Sequence, residues 1–436
     1  SPPASAAIDT ALLELNGTAG EPRSFDRLDR LLGDQAYRLA FWRVAADEIN
    51  YRRFFDVNEL AAIRPEEPEV FQRVHGALLR LAAAGHLTGL RVDHVDGLFD
   101  PLGYLTALQR GPPLYVVAEK ILGEDERLPA HWPIHGTTGY DFLNLIGGAF
   151  VERAGARRVH ATYREFTGQT QAFEDIAYQC KKLVLRHALA SQVSMLARRL
   201  DGISEQDRHS RDFTALSLQE ALIEVMARFA VYRTYITPDG QITDADRQWV
   251  DAAVEAATAA NPEISASVFA FLRGVLVGQH PPGLTPEELA QRRDFALRLQ
   301  QLTGAVMAKA MEDTAFYRFF PLASRGEVGG TPDHPGVAVD ELHQRNAERL
   351  EAFPHSLLTT TTHDTKRSED VRARIRVLSE LPDAWREALD RFRTLNARHK
   401  TRVGGRSAPD ANEEYLLYQT LVGMWPTEEL DGAAHA

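Results

Sequence analysis

The sequence predicts an α/β protein whose parallel strands are interrupted by a long helical insertion. Three observations predict it. Strand, helix and strand patterns alternate across residues 70–125, the order that builds a parallel sheet. Residues 151–235, 244–278 and 285–310 favour helix almost throughout, with Pro281-Pro282-Gly283 as a clear break. Three strand-like segments far apart in the chain each end in a carboxylate, at Asp93, Glu119 and Asp364. In a parallel barrel, strand ends gather on one face.

The elements follow in order. Residues 1–24 mix small residues, Pro and Gly and read as a linker or entry segment. Residues 25–50 read as helix, with Leu28, Leu31, Leu32, Leu39 and Trp42 near helical spacing. Residues 51–60 (YRRFFDVNEL) set aromatics against arginines, as either a polar strand edge or a substrate-facing loop. An amphipathic helix over 68–84 feeds residues 89–97 (GLRVDHVDG). There Leu90 and Val92 alternate with Arg91 and Asp93, so a short strand sends the polar pair to one side. The arginine favours the ionised aspartate and so suits Asp93 to act as a nucleophile near neutral pH. A structural ion pair is the equally weighted alternative.

A short helix over 101–109 leads to residues 114–122 (LYVVAEKIL), a buried strand interrupted by Glu119-Lys120. A carboxyl desolvated at the end of such a strand has a raised pKa, as a general acid needs. The alternative is a glutamate turned out to solvent. Residues 136–142 (GTTGYDF) read as a glycine-punctuated loop holding Tyr140 and Asp141. Residues 303–320 are ambiguous between strand and helix, and 328–337 form a Gly/Pro loop expected to be exposed. After a helix over 339–352, residues 356–364 (SLLTTTTHD) read as a β-branched strand ending in His363-Asp364. A polar loop from Lys366 opens the final helices, which run to Pro426, and 432–436 form a small-residue tail.

Composition narrows the function. A net charge of −12, from 49 basic and 61 acidic residues, disfavours nucleic acid and anionic membranes as partners. Cys180 is the single cysteine, so no internal disulfide forms and a cytoplasmic address is expected. The N-terminus lacks a signal-peptide pattern, and no run reaches the length of a membrane span. The first residue is not methionine.

Two carboxylates about 5 Å apart suit a retaining glycosidase, in which one attacks the anomeric carbon and the other protonates the leaving oxygen. A third stabilises the oxocarbenium-like transition state. His363 is placed to bond a sugar hydroxyl, and His94 and Asp96 either do the same or pack behind the site. GLRVDHVDG resembles the nucleophile region of the α-amylase superfamily, VVAEKIL its acid/base strand, and TTTTHDTKRSED its His-Asp region. Together with YRRFFDVNEL, GTTGYDF, AKAMEDTAFYRF and EVGGTP, these words are similar to the maltooligosyltrehalose synthase family over residues 37–426.

The resemblance implies an incomplete (β/α)8 TIM-type barrel. Residues 1–50 lead in, 51–150 carry nucleophile and acid/base, 151–300 are the helical insertion, and 301–436 return to the barrel. It implies Asp93 as nucleophile, Glu119 as acid/base and Asp364 as stabiliser. Arg91, His94, His363, Tyr140 and Lys366 would contact substrate, with no metal and no cofactor. The substrate would be a maltooligosaccharide or short amylose, whose reducing-end α-1,4 linkage becomes α,α-1,1. The family's first barrel strands, with an Asn-His pair, and its β-rich C-terminal domain have no counterpart in these words. A companion chain supplying the strands is therefore expected, since an open barrel leaves strand edges unpaired. The rivals are an amylase-type hydrolase, a metal-dependent hydrolase using Asp93, His94, Asp96, Glu119, His363 and Asp364, and an inactive glucan-binding piece.

Overall fold

In a computed structural model, residues 2–426 are described, and they divide into two units that meet in sequence between Tyr51 and Arg52. The tail expected at 432–436 lies outside the described residues. The first unit holds helices α1 (Pro2–Leu15), α2 (Asp26–Gly33) and α3 (Ala45–Glu48). This corrects the reading of 1–24 as linker, because the alanine- and leucine-rich start is a sound helix former. The single helix expected over 25–50 is broken: α2 ends at Gly33, and a 3₁₀ turn at Trp42–Val44 precedes α3.

The second unit opens with a hairpin, β1 (Arg53–Phe54) and β2 (Val57–Ala61), closed by Phe55 at φ 52°. Arg53 is buried and donates to Asn58 at 2.7 Å and to the Ala188 carbonyl at 2.9 Å, which ties the hairpin to the insertion. Helix α4 (Pro68–Ala83) then feeds β3 (Gly89–Val92). After α5 (Pro101–Leu108), capped by the Asp100 carboxylate on the Gly103 amide, comes β4 (Tyr115–Ala118). β4 lies parallel to β3, with Gly89 opposite Tyr115 and Val92 opposite Ala118.

A third parallel strand, β5 (Gly136–Thr137), pairs with the other edge of β4. It falls within GTTGYDF, so that segment is strand, turn and the start of helix α6 (Tyr140–Ala149) rather than a loop. The glycines explain the misreading. Gly136 and Gly139 sit at φ 142° and 97°, backbone that side chains resist, so they mark bends in a strand end.

The insertion is helical as expected: α7 (Arg153–Thr167), α8 (Phe173–Arg186), α9 (Ala190–Ser204), α10 (Ala215–Arg228), α11 (Asp244–Ala260), α12 (Ala266–Leu276) and α13 (Pro286–Val306). Buried positions on α8 fall at Phe173, Ile176, Ala177, Cys180, Val184 and Leu185, the i, i+3, i+4, i+7 stripe of a core-facing helix. Thr214, Thr243 and Thr285 start their helices with reciprocal side-chain caps, and Pro286 fits the first turn after the last of them. Cys180 is wholly buried in this core.

Residues 303–320 resolve as helix: the end of α13, a π turn (Met307–Glu312) and a 3₁₀ turn (Ala315–Tyr317). The 328–337 loop is packed, with Val328, Pro332 and Gly336 buried, because its Val337 amide bonds the Gly148 carbonyl at 3.0 Å. That corrects the expected exposed loop. Helix α14 (Val339–Ala352) matches its predicted span.

Residues 356–364 form no strand. The segment runs extended beside β5, where the Leu357 amide donates to Thr137 at 3.1 Å and Ser356 Oγ accepts from the Thr137 amide at 3.0 Å. Its threonines then turn inward on their own backbone: Thr359 Oγ1 donates to the Thr361 carbonyl at 2.9 Å, and Thr365 Oγ1 to Thr362 at 2.8 Å. Local hydroxyl bonds of this kind compete with a ladder, which β-propensity alone does not register. The chain ends in α15 (Glu369–Arg376), α16 (Pro382–Asn396), the hairpin β6 (Thr401–Val403) and β7 (Arg406–Ala408), and α17 (Ala411–Met424). One continuous apolar core joins the insertion to these last helices, from Val159 and Leu196 to Trp385 and Tyr415.

Candidate active site

The ends of β3 and β4 are neighbours because the two strands pair in parallel register, so the residues that follow them emerge side by side. Arg91 hydrogen-bonds Asp93 and lies 3.7 Å from Glu119 Oε1, a guanidinium shared between two carboxylates. The His94 amide donates to Glu119 Oε2 at 2.7 Å. That contact needs the chain to turn sharply after Asp93, and His94 does so at φ 45°. The strained turn is a cost that persists where surrounding bonds over-determine it. Here the Gly97 carbonyl receives Arg52 and Gln301, and Arg233 donates to the Asp96 carbonyl at 2.8 Å.

Beneath the turn sits a buried ionic cluster. Lys120 contacts Glu126 at 2.9 Å and Asp96 at 3.4 Å, and Tyr235 hydrogen-bonds Asp96. Asp96 is thus a packing partner under the turn, one of the two roles its sequence position allowed. The His94 ring packs against Phe54 and Phe55, with centroids 5.4 and 4.8 Å away, and burial pushes its pKa down.

Burial raises the Glu119 carboxyl above its ordinary range, the His94 amide and Arg91 oppose the rise, and the charges of Asp93 and Asp364 add to it. Asp364 thus lies within electrostatic reach of the pair although it comes from the far end of the unit. His363 Nε2 is 3.0 Å from Asp364, and both are well exposed. Tyr140 donates to or accepts from Thr362 Oγ1 at 2.9 Å, which links α6 to the segment bearing Asp364. The Lys366 amide bonds Glu327 at 2.9 Å, while its ammonium lies 3.6 Å from Asp313 and 5.2 Å from the Tyr317 ring. The structure therefore gathers Asp93, Glu119, Arg91, Tyr140 and Asp364 in one region, with His363 and Lys366 on the adjoining loop. Among the described residues, no group of three or more His, Cys, Asp or Glu is arranged to hold a metal.

Sequence reasoning singled out no residue from the π turn. Glu312, its last residue, bonds Tyr232 and the Gly329 amide, and its surroundings include the charges of Lys366 and Glu119. Lys309 on the same turn reaches Asp56 at 3.3 Å and Asp313 at 3.1 Å. The available signal was an apolar run carrying Lys309, Glu312 and Asp313 within a few positions, at the i, i+3 and i, i+4 spacings that set side chains on one helix face.

Burial pushes Glu312 up to about 8. A carboxyl raised in the fold binds a proton that the unfolded chain releases, so stability is greatest below the ordinary carboxylate range and falls as pH rises through about 8. The fall is at most about 1.4 kcal/mol per pH unit. Chemical denaturation of Glu312→Gln between pH 5 and 8 is expected to lack that decline; an unchanged slope would assign the effect elsewhere.

A second expectation follows from Gly139. A Cβ there meets the Leu357 carbonyl at 2.7 Å and the Thr359 amide at 2.8 Å, at φ 97°. Gly139→Ala is expected to cost about 1–3 kcal/mol, read by thermal unfolding, and to displace the Asp364 segment, read as lost turnover. A variant as stable and active as wild type contradicts it.

No family model matches the chain. It is 34% identical over 424 residues to a Mycobacterium tuberculosis (strain ATCC 25618 / H37Rv) protein named "Putative maltooligosyl trehalose synthase", covering 96% of this chain and 50% of that protein. It superposes on the maltooligosyltrehalose synthase of Arthrobacter ramosus with a TM-score of 0.77 at 37% identity, over 94% of this chain and 48% of that one. A Sulfolobus tokodaii structure described as a hypothetical maltooligosyl trehalose synthase gives 0.70 at 29% identity, over 92% and 47%. The chain spans about half the length of the curated relatives it matches. Across nearly all of its own length, in sequence and in fold, this chain is therefore a homologue of the maltooligosyltrehalose synthases, corresponding to about half of each.

Proposed function

We propose that this chain carries the catalytic carboxylates of an intramolecular transglucosylase that converts the reducing-end α-1,4 linkage of a maltooligosaccharide to α,α-1,1. The observation that carries the reading is Arg91 between Asp93 and Glu119 at the ends of paired strands, with Asp364 adding its charge to the same carboxyl. In this reading Glu119 gives its proton to the leaving O4 as Asp93 attacks the anomeric carbon, forming a glycosyl-enzyme. The freed glucose turns within the pocket. Its anomeric hydroxyl then attacks, returning its proton to Glu119, and the two inversions retain the α configuration. Asp364 stabilises the oxocarbenium-like charge. Arg91, His94, His363, Tyr140 and Lys366 hold sugar hydroxyls, and the chemistry needs no cofactor.

Keeping the freed glucose demands a pocket closed to water. Supporting this, Tyr232 and Glu312 bond one another near the site, with the Tyr232 ring 5.6 Å from the Lys120 ammonium and Glu312 feeling the charges of Lys366 and Glu119. In this reading the protein works in the cytoplasm, whose reducing conditions suit a lone buried thiol at Cys180. Further strands, from a companion chain or from elsewhere in the same protein, complete a (β/α)8 barrel beside β3. Among the described residues no strand pairs with that edge of β3. Val74, Leu78 and Leu81 on neighbouring α4 are 46%, 39% and 47% exposed, an apolar stripe suited to cover. Mass spectrometry finding only a 436-residue species, fully active, would contradict this last point.

Product analysis tests the reaction. Incubation of the intact protein with maltopentaose is expected to yield a non-reducing sugar of unchanged glucan length. A steady rise in reducing ends instead identifies the amylase-type hydrolase, which uses the same carboxylates with water as acceptor.

A further inference from the structure

A cavity of about 450 Å³ lies among the loop after β4, helix α6, the 328–337 loop and α14. That volume falls within the usual range for small-molecule sites. None of Asp93, Glu119 and Asp364 lines it. Leu122, Leu128, Leu145 and Phe353 make much of its wall. Arg325, only 6% exposed, also lines it. Its Nη1 reaches the Asn144 carbonyl at a long 3.4 Å, and its Nε has no partner among the described residues.

Of the five acids lining the cavity, three are paired with cations, Glu124 faces His334 at 3.6 Å, and Glu341 sits on α14. Asp141 pairs with Arg349 at 2.7 Å, Glu348 with Arg127 at 3.1 Å, and Glu126 with Lys120 at 2.9 Å. Glu124 and Asp333 act on Arg325 only through the field, and burial lowers its pKa against them. Buried Arg376 adds repulsion, since the two guanidinium groups feel one another. A desolvated cation with an unmade hydrogen bond and, among the described residues, no carboxylate in contact is expensive to keep. An anion in the cavity beside Arg325 offsets that charge.

We propose that this cavity binds a small organic anion, with one carboxylate or phosphate head on Arg325 and a compact apolar body against Leu128 and Phe353. The guanidinium fork suits either head. The leucines and Phe353 in the cavity wall select against a bare inorganic ion.

Isothermal titration of the intact protein with octanoate, octyl phosphate, inorganic phosphate and neutral hexanol tests it, with a readout independent of turnover. Octanoate or octyl phosphate is expected to bind once per chain, and the tighter of the two identifies the head. Arg325→Gln should weaken that binding by at least about tenfold, the loss of a charge-assisted hydrogen bond. Ala352→Trp fills the cavity from exposed α14 while leaving Arg325 in place, so it should abolish binding in a folded protein. No heat with either octyl anion, hexanol binding as tightly as they do, or unchanged affinity in the Ala352→Trp protein would each overturn the proposal.

Discussion

Asp93→Asn is expected to lower kcat for maltooligosaccharide conversion by about 10⁴-fold or more, as loss of a catalytic nucleophile does in other enzymes. The amide keeps the shape and an acceptor for Arg91, but it cannot form the glycosyl-enzyme. Asp93 is 56% exposed, so the folded state should change by no more than about 0.5 kcal/mol. A large kinetic loss with an unchanged melting temperature therefore points to chemistry rather than structure. The anomer formed under rescue adds a sharper test. With an α-glycosyl fluoride and azide, Asp93→Ala should give the β-azide, because the anion attacks directly in the space vacated. A variant retaining turnover within tenfold of wild type would end the assignment.

Glu119→Gln should lose about 10²- to 10⁴-fold, the usual worth of general acid–base catalysis. The glutamine still accepts from the His94 amide, so the β4 end stays in place. An α-glycosyl fluoride, whose leaving group needs no proton, should still form the glycosyl-enzyme, and azide should release it as the α-azide. The two variants thus give opposite anomers, which an inert binding module cannot do. The pH profile provides the sign. Burial lifts Glu119, and a general acid must be protonated to act, so turnover should fall as pH rises through its raised pKa. In Glu119→Gln that alkaline limb should vanish. A limb that persists unchanged belongs to another group.

The pairing of Asp93 with Glu119 was legible because both signals are local. Alternation in GLRVD puts Arg91 and Asp93 on one side, and a lone Glu-Lys in LYVVAEKIL marks the end of a buried strand. The insertion was legible for the same reason, since long helix-favouring runs broken at Pro281-Pro282-Gly283 need no partner to be read. The threonine run at 356–364 misled, because its branched side chains favour a strand only where a neighbouring edge is offered. Here they bond their own backbone instead.

By itself the sequence determined which acids are available, how the insertion folds locally, and that parallel strands set the frame. Tertiary structure alone decided that Glu119 is held by the His94 amide, that Glu312 and Tyr232 arrive from residues on either side of α13, and that Arg325, beside a cavity, meets no counter-ion among the described residues. The physical reason is range. Periodicity and capping are settled within a few residues, whereas the desolvation and pairing of a charge depend on whichever distant segments the fold packs around it.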